Sequence, residues 1–308
     1  MTESLTSALR RDRRRFLLPP AAAWLASNLI TWLVAKASVA GDGSGVAYWS
    51  TAGRRRWDSD HYLSIARTGY EMFWCHERYP NFPDVMCGNV AWFPGYSMAV
   101  RAFSATGLSY EISAVVITEA ALLGMFAVLW WLLGGRLTWA TGLTLAIGAV
   151  FPGGIYFHAI FPIATGTLAL LVCVLGVKRG SWRIAAAGGF AATACHLVGA
   201  AAVGMLLASV LFAWRKDPWP VRCAKGLGAA AIAGCGALWA KWLMWQATGK
   251  WDAYEILQES SYSRAACTSP SPRWPRPTTS RSASGTGPRA TCPGWWSTPR
   301  PRTTPSSG

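Results

Sequence analysis

Apolar runs some twenty residues long recur along the chain, among them "FLLPPAAAWLASNLITWLVA" after residue 15 and "ISAVVITEAALLGMFAVLWWLL" at 112–133. Each is long enough to cross a hydrocarbon core of roughly 30 Å. That core offers no water to backbone N–H and C=O groups, so a crossing segment must satisfy them itself, as a helix does. Charged residues are 14 % of the sequence, against roughly 25 % in soluble domains. The expected fold is all-α: a polytopic transmembrane helical bundle with a long first outer loop containing short interfacial helices.

Residues 1–15 read as a basic cytoplasmic N-terminus ahead of a bundle at 16–264. The same start resembles a signal peptide, with "RRRFL" near a twin-arginine pattern and "SVAG" near a cleavage site. The length of the first run, Trp24 and Trp32 within it, and the further runs behind it favour a retained helix with Pro19 and Pro20 in its first turn. Residues 37–92 then form the outer loop. "VAWFPGYSMAVRAF" is broken by Pro94, Gly95 and Arg101 and is placed at the interface. Spans follow at 112–133, 138–151, 163–177 and 226–245. The stretch 184–213 is long for one helix and carries basic residues at both ends. The positive-inside tendency makes it a tight helical pair, with Gly188, Gly189, Gly199 and Gly204 permitting close packing; a single tilted helix is the alternative. Glu119 is the clearest carboxylate inside a span and is expected to stand alone.

The net charge of +15 does not make this a nucleic-acid binder, because the cations sit at the ends of apolar runs and in the tail. The cysteines form no metal signature; Cys173, Cys195 and Cys235 lie in apolar runs as small buried groups. Cys75 and Cys87 share the polar outer loop and are either free or joined in a disulfide. The tail, residues 265–308, is rich in Pro, Arg, Ser and Thr and lacks Val, Ile, Leu, Met, Phe and acids. It is expected to be disordered. Its vocabulary fits GC-rich codons read in a shifted frame. On that hypothesis the native frame ends near residue 264, the bundle is incomplete, and its activity is in doubt. Translating the other two frames tests this; if neither continues with hydrophobic spans, the idea fails.

The densest polar cluster in the greasy part of the chain is "RRRWDSDHYLSIARTGY" at 54–70. Ser59 or Asp60 is placed to cap a short amphipathic helix, with Asp58 at its start and the Asp58 carboxylate held by backbone N–H groups. The structural alternative is that Asp58 and Asp60 only cap while the arginines touch lipid headgroups. The chemical reading makes Asp58 a general base and Asp60 its supporting acid. Arg54, Arg55, Arg56, Arg67 and His61 then hold a phosphate. Trp74, His76, Glu77, Arg78 and Tyr79 lie further along, as sugar contacts or as interface anchors.

The block "RWDSDHYLSIARTGY", followed by "AWFPGYSMAVR", resembles the first outer loop of the PIG-V-type mannosyltransferases, integral membrane enzymes of the GT-C glycosyltransferase class. Trp57, Asp58, Tyr62, Ile65, Ala66, Gly69 and Tyr70, then Phe93, Pro94 and Tyr96, stand at the matching positions. "FPGGIYFHAIFP" resembles a later junction of the family, and "TGKWDAYEILQESSYSR" a later segment through Gly249, Asp252, Tyr254 and Gln258. The family's Tyr-x-Glu-Ser element reads "IFPIAT" here, and "ACHLVGAA" around His196 replaces its Thr-Arg-x-x-Gly-like element. A lone His in an apolar helix is expected to be a packing residue. The resemblance implies transfer of mannose from a polyprenyl- or dolichyl-phosphate donor to a lipid-linked glycan acceptor, with inversion and no cofactor or metal. It implies Asp58 as base, with Asp60 behind it, and Tyr62, Tyr70, Tyr96, Asp252 and Gln258 as acceptor or sugar contacts.

Two other classes are compatible with the sequence. A transporter places its ionisable groups within the spans; a lipid-binding scaffold would tolerate loss of both aspartates. Membrane lipids are partners on every reading. The expected location is a bacterial plasma membrane.

Overall fold

The computed structural model describes residues 13–39, 49–80 and 85–262. The Pro- and Arg-rich tail lies outside them. The described part is helical except for one two-stranded hairpin.

Helix α1 (Arg13–Val39) begins earlier than the sequence implies, so Pro19 and Pro20 lie inside it rather than in its first turn. A proline inside a helix removes the i→i−4 bond of its missing N–H and crowds the carbonyl four residues before it. Two short helices follow, α2 (Thr51–Arg54) and α3 (Ser59–Thr68). Strand β1 (Met72–Trp74), the single turn α4 (Cys75–Arg78) and strand β2 (Met86–Gly88) form an antiparallel hairpin with Phe73 opposite Cys87. Cys75 and Cys87 are joined in a disulfide. The buried side chain of Asn89 locks this hairpin to α3, accepting from Glu71 N–H at 2.9 Å and donating to Ser64 Oγ at 2.9 Å.

Helix α5 (Pro94–Ser104) starts with its proline at a first-turn position and packs on α3. Ser97 Oγ donates to Tyr62 O at 2.8 Å, and Arg101 donates to the carbonyls of Ala66 and Ile65. The bundle continues with α6 (Tyr110–Leu132), α7 (Trp139–Ala149), α8 (Ile155–His158), α9 (Ile163–Lys178), α10 (Trp182–Cys195), α11 (Ala201–Phe212), α12 (Trp219–Thr248) and α13 (Ala253–Tyr262).

Three described helices are long and apolar enough to cross a membrane: Leu17–Ala37, Tyr110–Leu132 and Trp219–Thr248. The pair α7–α8, bent by 56° around Pro152–Gly154, makes a fourth if it counts as one span. Helices α10 and α11 have 14 and 12 residues, or about 21 and 18 Å at 1.5 Å per residue. The stretch 184–213 is therefore a hairpin of short helices rather than one tilted helix. Gly188, Gly189 and Gly199 approach neighbours too closely for any side chain, whereas Gly204 faces open space.

The elements from α6 to α12 run alternately between two ends of the bundle. At one end lie Lys178, Arg179 and Lys225. Lys178 Nζ donates to Leu132 O, Arg179 stands 4.0 Å over the Trp131 ring, and Lys225 pairs with Asp217 at 2.6 Å. Phe161, His196 and α13 lie at the opposite ends of α9, α10 and α12, together with α3 and α5.

Candidate active site

Asp58 occupies the N-cap position of α3, where its carbonyl accepts from the backbone N–H of His61 at 3.0 Å. Its carboxylate makes no capping bond, contrary to the sequence expectation. Ser59 takes that local work instead: its hydroxyl accepts from Arg56 N–H at 2.9 Å and donates to Arg56 O. Trp57, just before Asp58, has φ 46°, a left-handed conformation uncommon for a residue with a side chain. Its indole stacks on Tyr156, with ring centroids 4.4 Å apart. The turn thus leaves the half-buried Asp58 carboxylate without a hydrogen bond or ion pair among the described residues.

That carboxylate opens on a cavity of about 210 Å³ lined by Asp58, Tyr62, Ala91, Trp92, Phe93, Phe161, His196, Leu197, Tyr254 and Gln258. The volume lies below the roughly 300–1,000 Å³ typical of drug-sized pockets, so the space suits one ring rather than a long glycan. Its walls come from five separate stretches of sequence. Tyr62 meets Phe161 edge-on at 5.3 Å, and Phe93 meets Tyr254 at 5.8 Å. Gly95, in the first turn of α5, brings that helix against α10: a Cβ there would fall 2.7 Å from Ala194 O. Burial, with the Asp58 charge adding to it, pushes the Tyr62 phenol above its usual range, so it stays a neutral donor.

His196 was expected to sit in an apolar helix. It stands instead in extended backbone at the break between α10 and α11 and lines the cavity. Its Nδ1 accepts from Val198 N–H at 3.2 Å, which places the proton of the neutral ring on Nε2. The break itself was the available signal, since irregular backbone among apolar helices is tolerated where it lines a cavity.

The other anticipated site residues scatter. Asp60 is exposed and ion-paired with Arg55, and it does not line the Asp58 cavity. Arg67 pairs with Glu111. Arg56 is exposed and donates through Nε to Gly53 O at 3.0 Å. His61 stacks flat on Trp92 at 3.6 Å, and burial lowers its pKa against the opposing charges of Asp58 and Asp60. Tyr70 donates to Trp92 O at 2.8 Å, which makes it a brace of the wall. Tyr96 is fully buried and bonded to Ala114 O and Thr118, out of reach of a sugar. Trp74 is exposed beside His76 on the disulfide hairpin, and Asp252 is exposed just before α13; neither lines the cavity. Tyr62 and Gln258 do.

Arg54 belongs to a different construction. Its side chain is 3 % exposed and pairs with Glu119, so it is not a phosphate or headgroup contact. Glu119 does not stand alone either. One of its oxygens takes Trp24 Nε1–H at 2.8 Å and Asn28 Nδ2–H at 3.1 Å. The other takes Arg54 and His158 Nδ1. His158 Nε2 lies 3.0 Å from Ser27 Oγ, and Arg54 also donates to His158 O at 2.9 Å. Ile160 N–H donates to Arg54 O at 2.9 Å. This network ties α1, α2, α6 and α8 together just behind the Trp57–Asp58 turn.

Compared with known proteins, the chain matches no family model, no curated protein and no solved structure.

Proposed function

We propose that the chain is a multi-pass integral membrane glycosyltransferase. It moves mannose from a polyprenyl- or dolichyl-phosphate carrier to a lipid-linked glycan acceptor, and Asp58 is the base. The observation that carries this reading is the unpartnered Asp58 carboxylate facing an aromatic-walled cavity. Such a cavity, apolar with few convergent polar groups, suits an oriented small ligand.

In the reaction the acceptor hydroxyl oxygen bonds to the anomeric carbon while its proton passes to Asp58. The bond from that carbon to the carrier phosphate breaks, and its electron pair leaves on the phosphate oxygen. Asp60 has no part in this step.

The Glu119 network is the observation that favours a transporter. Against that reading, Arg54 and His158 are buried and bonded to Glu119, while the open carboxylate is the one at the cavity.

Labelled polyprenyl-phosphate-mannose, supplied to membranes carrying the chain, tests the proposal, with a second sample continued past residue 264 in the alternative frame. General-base catalysis contributes about 10²–10⁴-fold, so Asp58→Asn should lower transfer by at least about a hundredfold. Unchanged transfer in Asp58→Asn refutes the base, and no transfer in either sample refutes the donor.

A further inference from the structure

Of the four arginines that the sequence offers for phosphate binding, three are ion-paired, Arg54 with Glu119, Arg55 with Asp60 and Arg67 with Glu111, Arg56 donates to Gly53 O, and none of the four lines the cavity. Yet a departing lipid phosphate develops negative charge next to the Asp58 carboxylate. Among the residues lining the cavity, only His196 can carry a positive charge. It is also firmly aimed. Nδ1 is held by Val198 N–H, and Gly199 packs so tightly on α10 that a Cβ there would lie 2.1 Å from Ala192 O. Nε2–H has no partner among the described residues. The ring is thus fixed by one nitrogen, and the other is unpartnered among the described residues in a residue that lines the cavity.

We propose that His196 is a catalytic residue that binds the phosphate of the lipid carrier, donating from Nε2–H to the oxygen that leaves the sugar. The donation stabilises charge as the carbon–oxygen bond breaks; the leaving phosphate needs no proton, and the acceptor's proton remains with Asp58. This assignment rests on the glycosyltransferase reading.

The two ring nitrogens have separable duties, and amide side chains separate them. Asn in place of His196 keeps an oxygen near Nδ1 to receive Val198 N–H but loses the donor at Nε2. Gln keeps a donor near Nε2 and loses the local bond. The test is binding of polyprenyl monophosphate by the full chain in nanodiscs of neutral phosphatidylcholine, read by quenching of tryptophan fluorescence. Loss of one hydrogen bond to a charged group costs roughly tenfold or more in affinity. His196→Asn should bind about tenfold more weakly than the parent, and His196→Gln within about threefold of it. Asp58→Asn should bind at least as tightly as the parent, because a repelling charge is gone.

The assignment is overturned if His196→Asn binds like the parent, or if His196→Gln is the weaker of the two. The glycosyltransferase reading survives those results provided the parent itself binds. Failure of the parent to bind polyprenyl monophosphate overturns both.

Discussion

Replacing Arg54 by Met removes the cation from the buried network while keeping an apolar stem of similar length. The guanidinium bonds Glu119 and His158 O, and it is 3 % exposed against 16 % for Glu119. Breaking a buried ion pair from one side costs about 3–5 kcal/mol, because the surviving charge stays behind without its partner. Glu119 still receives Trp24, Asn28 and His158, so the loss belongs at the lower end, about 3 kcal/mol. At 2–4 °C per kcal/mol, that lowers the melting temperature by about 6–12 °C. Glu119→Gln alone strands Arg54 and should cost a similar amount. The double substitution leaves no unpaired charge, so it should recover at least about 2 kcal/mol of the summed losses. Thermal unfolding of the four proteins in one detergent, followed by tryptophan fluorescence, measures this. Additive losses in the double variant would refute the account, since residues that share a buried charge pair cannot act independently.

Three further outcomes follow from other parts of the molecule. Replacing Cys75 and Cys87 by Ser should cost about 3 kcal/mol by loop entropy, for a separation of 12 residues. Maleimide labelling of both thiols in the parent before any reduction would show that the pair is not joined. Burial lowers the pKa of His61, so below about 6.5 the unfolded chain takes up a proton that the folded chain declines. Stability present above that pH should therefore fall as pH drops through the window beneath it, and His61→Phe should flatten the profile of melting temperature against pH; an unchanged profile contradicts the buried stack. Finally, a Cβ on Gly236 would meet Thr193 Oγ1 at 2.2 Å and Phe190 O at 2.3 Å, whereas Gly234 faces open space. Gly236→Ala should lose about 1–3 kcal/mol to overpacking while Gly234→Ala loses none, and equal melting temperatures would contradict the packing of α10 on α12.

What the sequence discloses is what depends on short range. The long spans, the helical break at Pro152–Gly153, the hairpin at 184–213 and the shared loop of Cys75 and Cys87 all follow from runs of hydropathy and spacing. Asp58 was legible because it lies in a dense local motif. The destinations of the long cations were not. Arg54 and Arg55 are neighbours in sequence, yet one is buried on Glu119 and the other is exposed on Asp60. The difference arises from α6 and α8 closing over Arg54, and nothing near residue 54 encodes their approach. Glu119 looked isolated for the same reason: its partners come from residues 24, 28, 54 and 158. Tyr96 sits in a motif with Phe93, but its helical position turns it inward to Thr118 rather than toward the cavity. Hydropathy alone does not show where α10 ends, so the place of His196 at the break is not legible in the sequence.

The five-part wall of the cavity also has a consequence for how the protein is made. Asp58 and Gln258 line the same space, and some two hundred residues separate them in synthesis order. At about 5–20 residues per second, a ribosome needs roughly 10–40 s to travel between them. Over that interval Asp58 has emerged while Tyr254 and Gln258 do not yet exist. A nascent chain halted before α13 therefore holds the Asp58 carboxylate without the part of the cavity wall that Tyr254 and Gln258 supply. Placement of this last described helix completes the wall of the cavity.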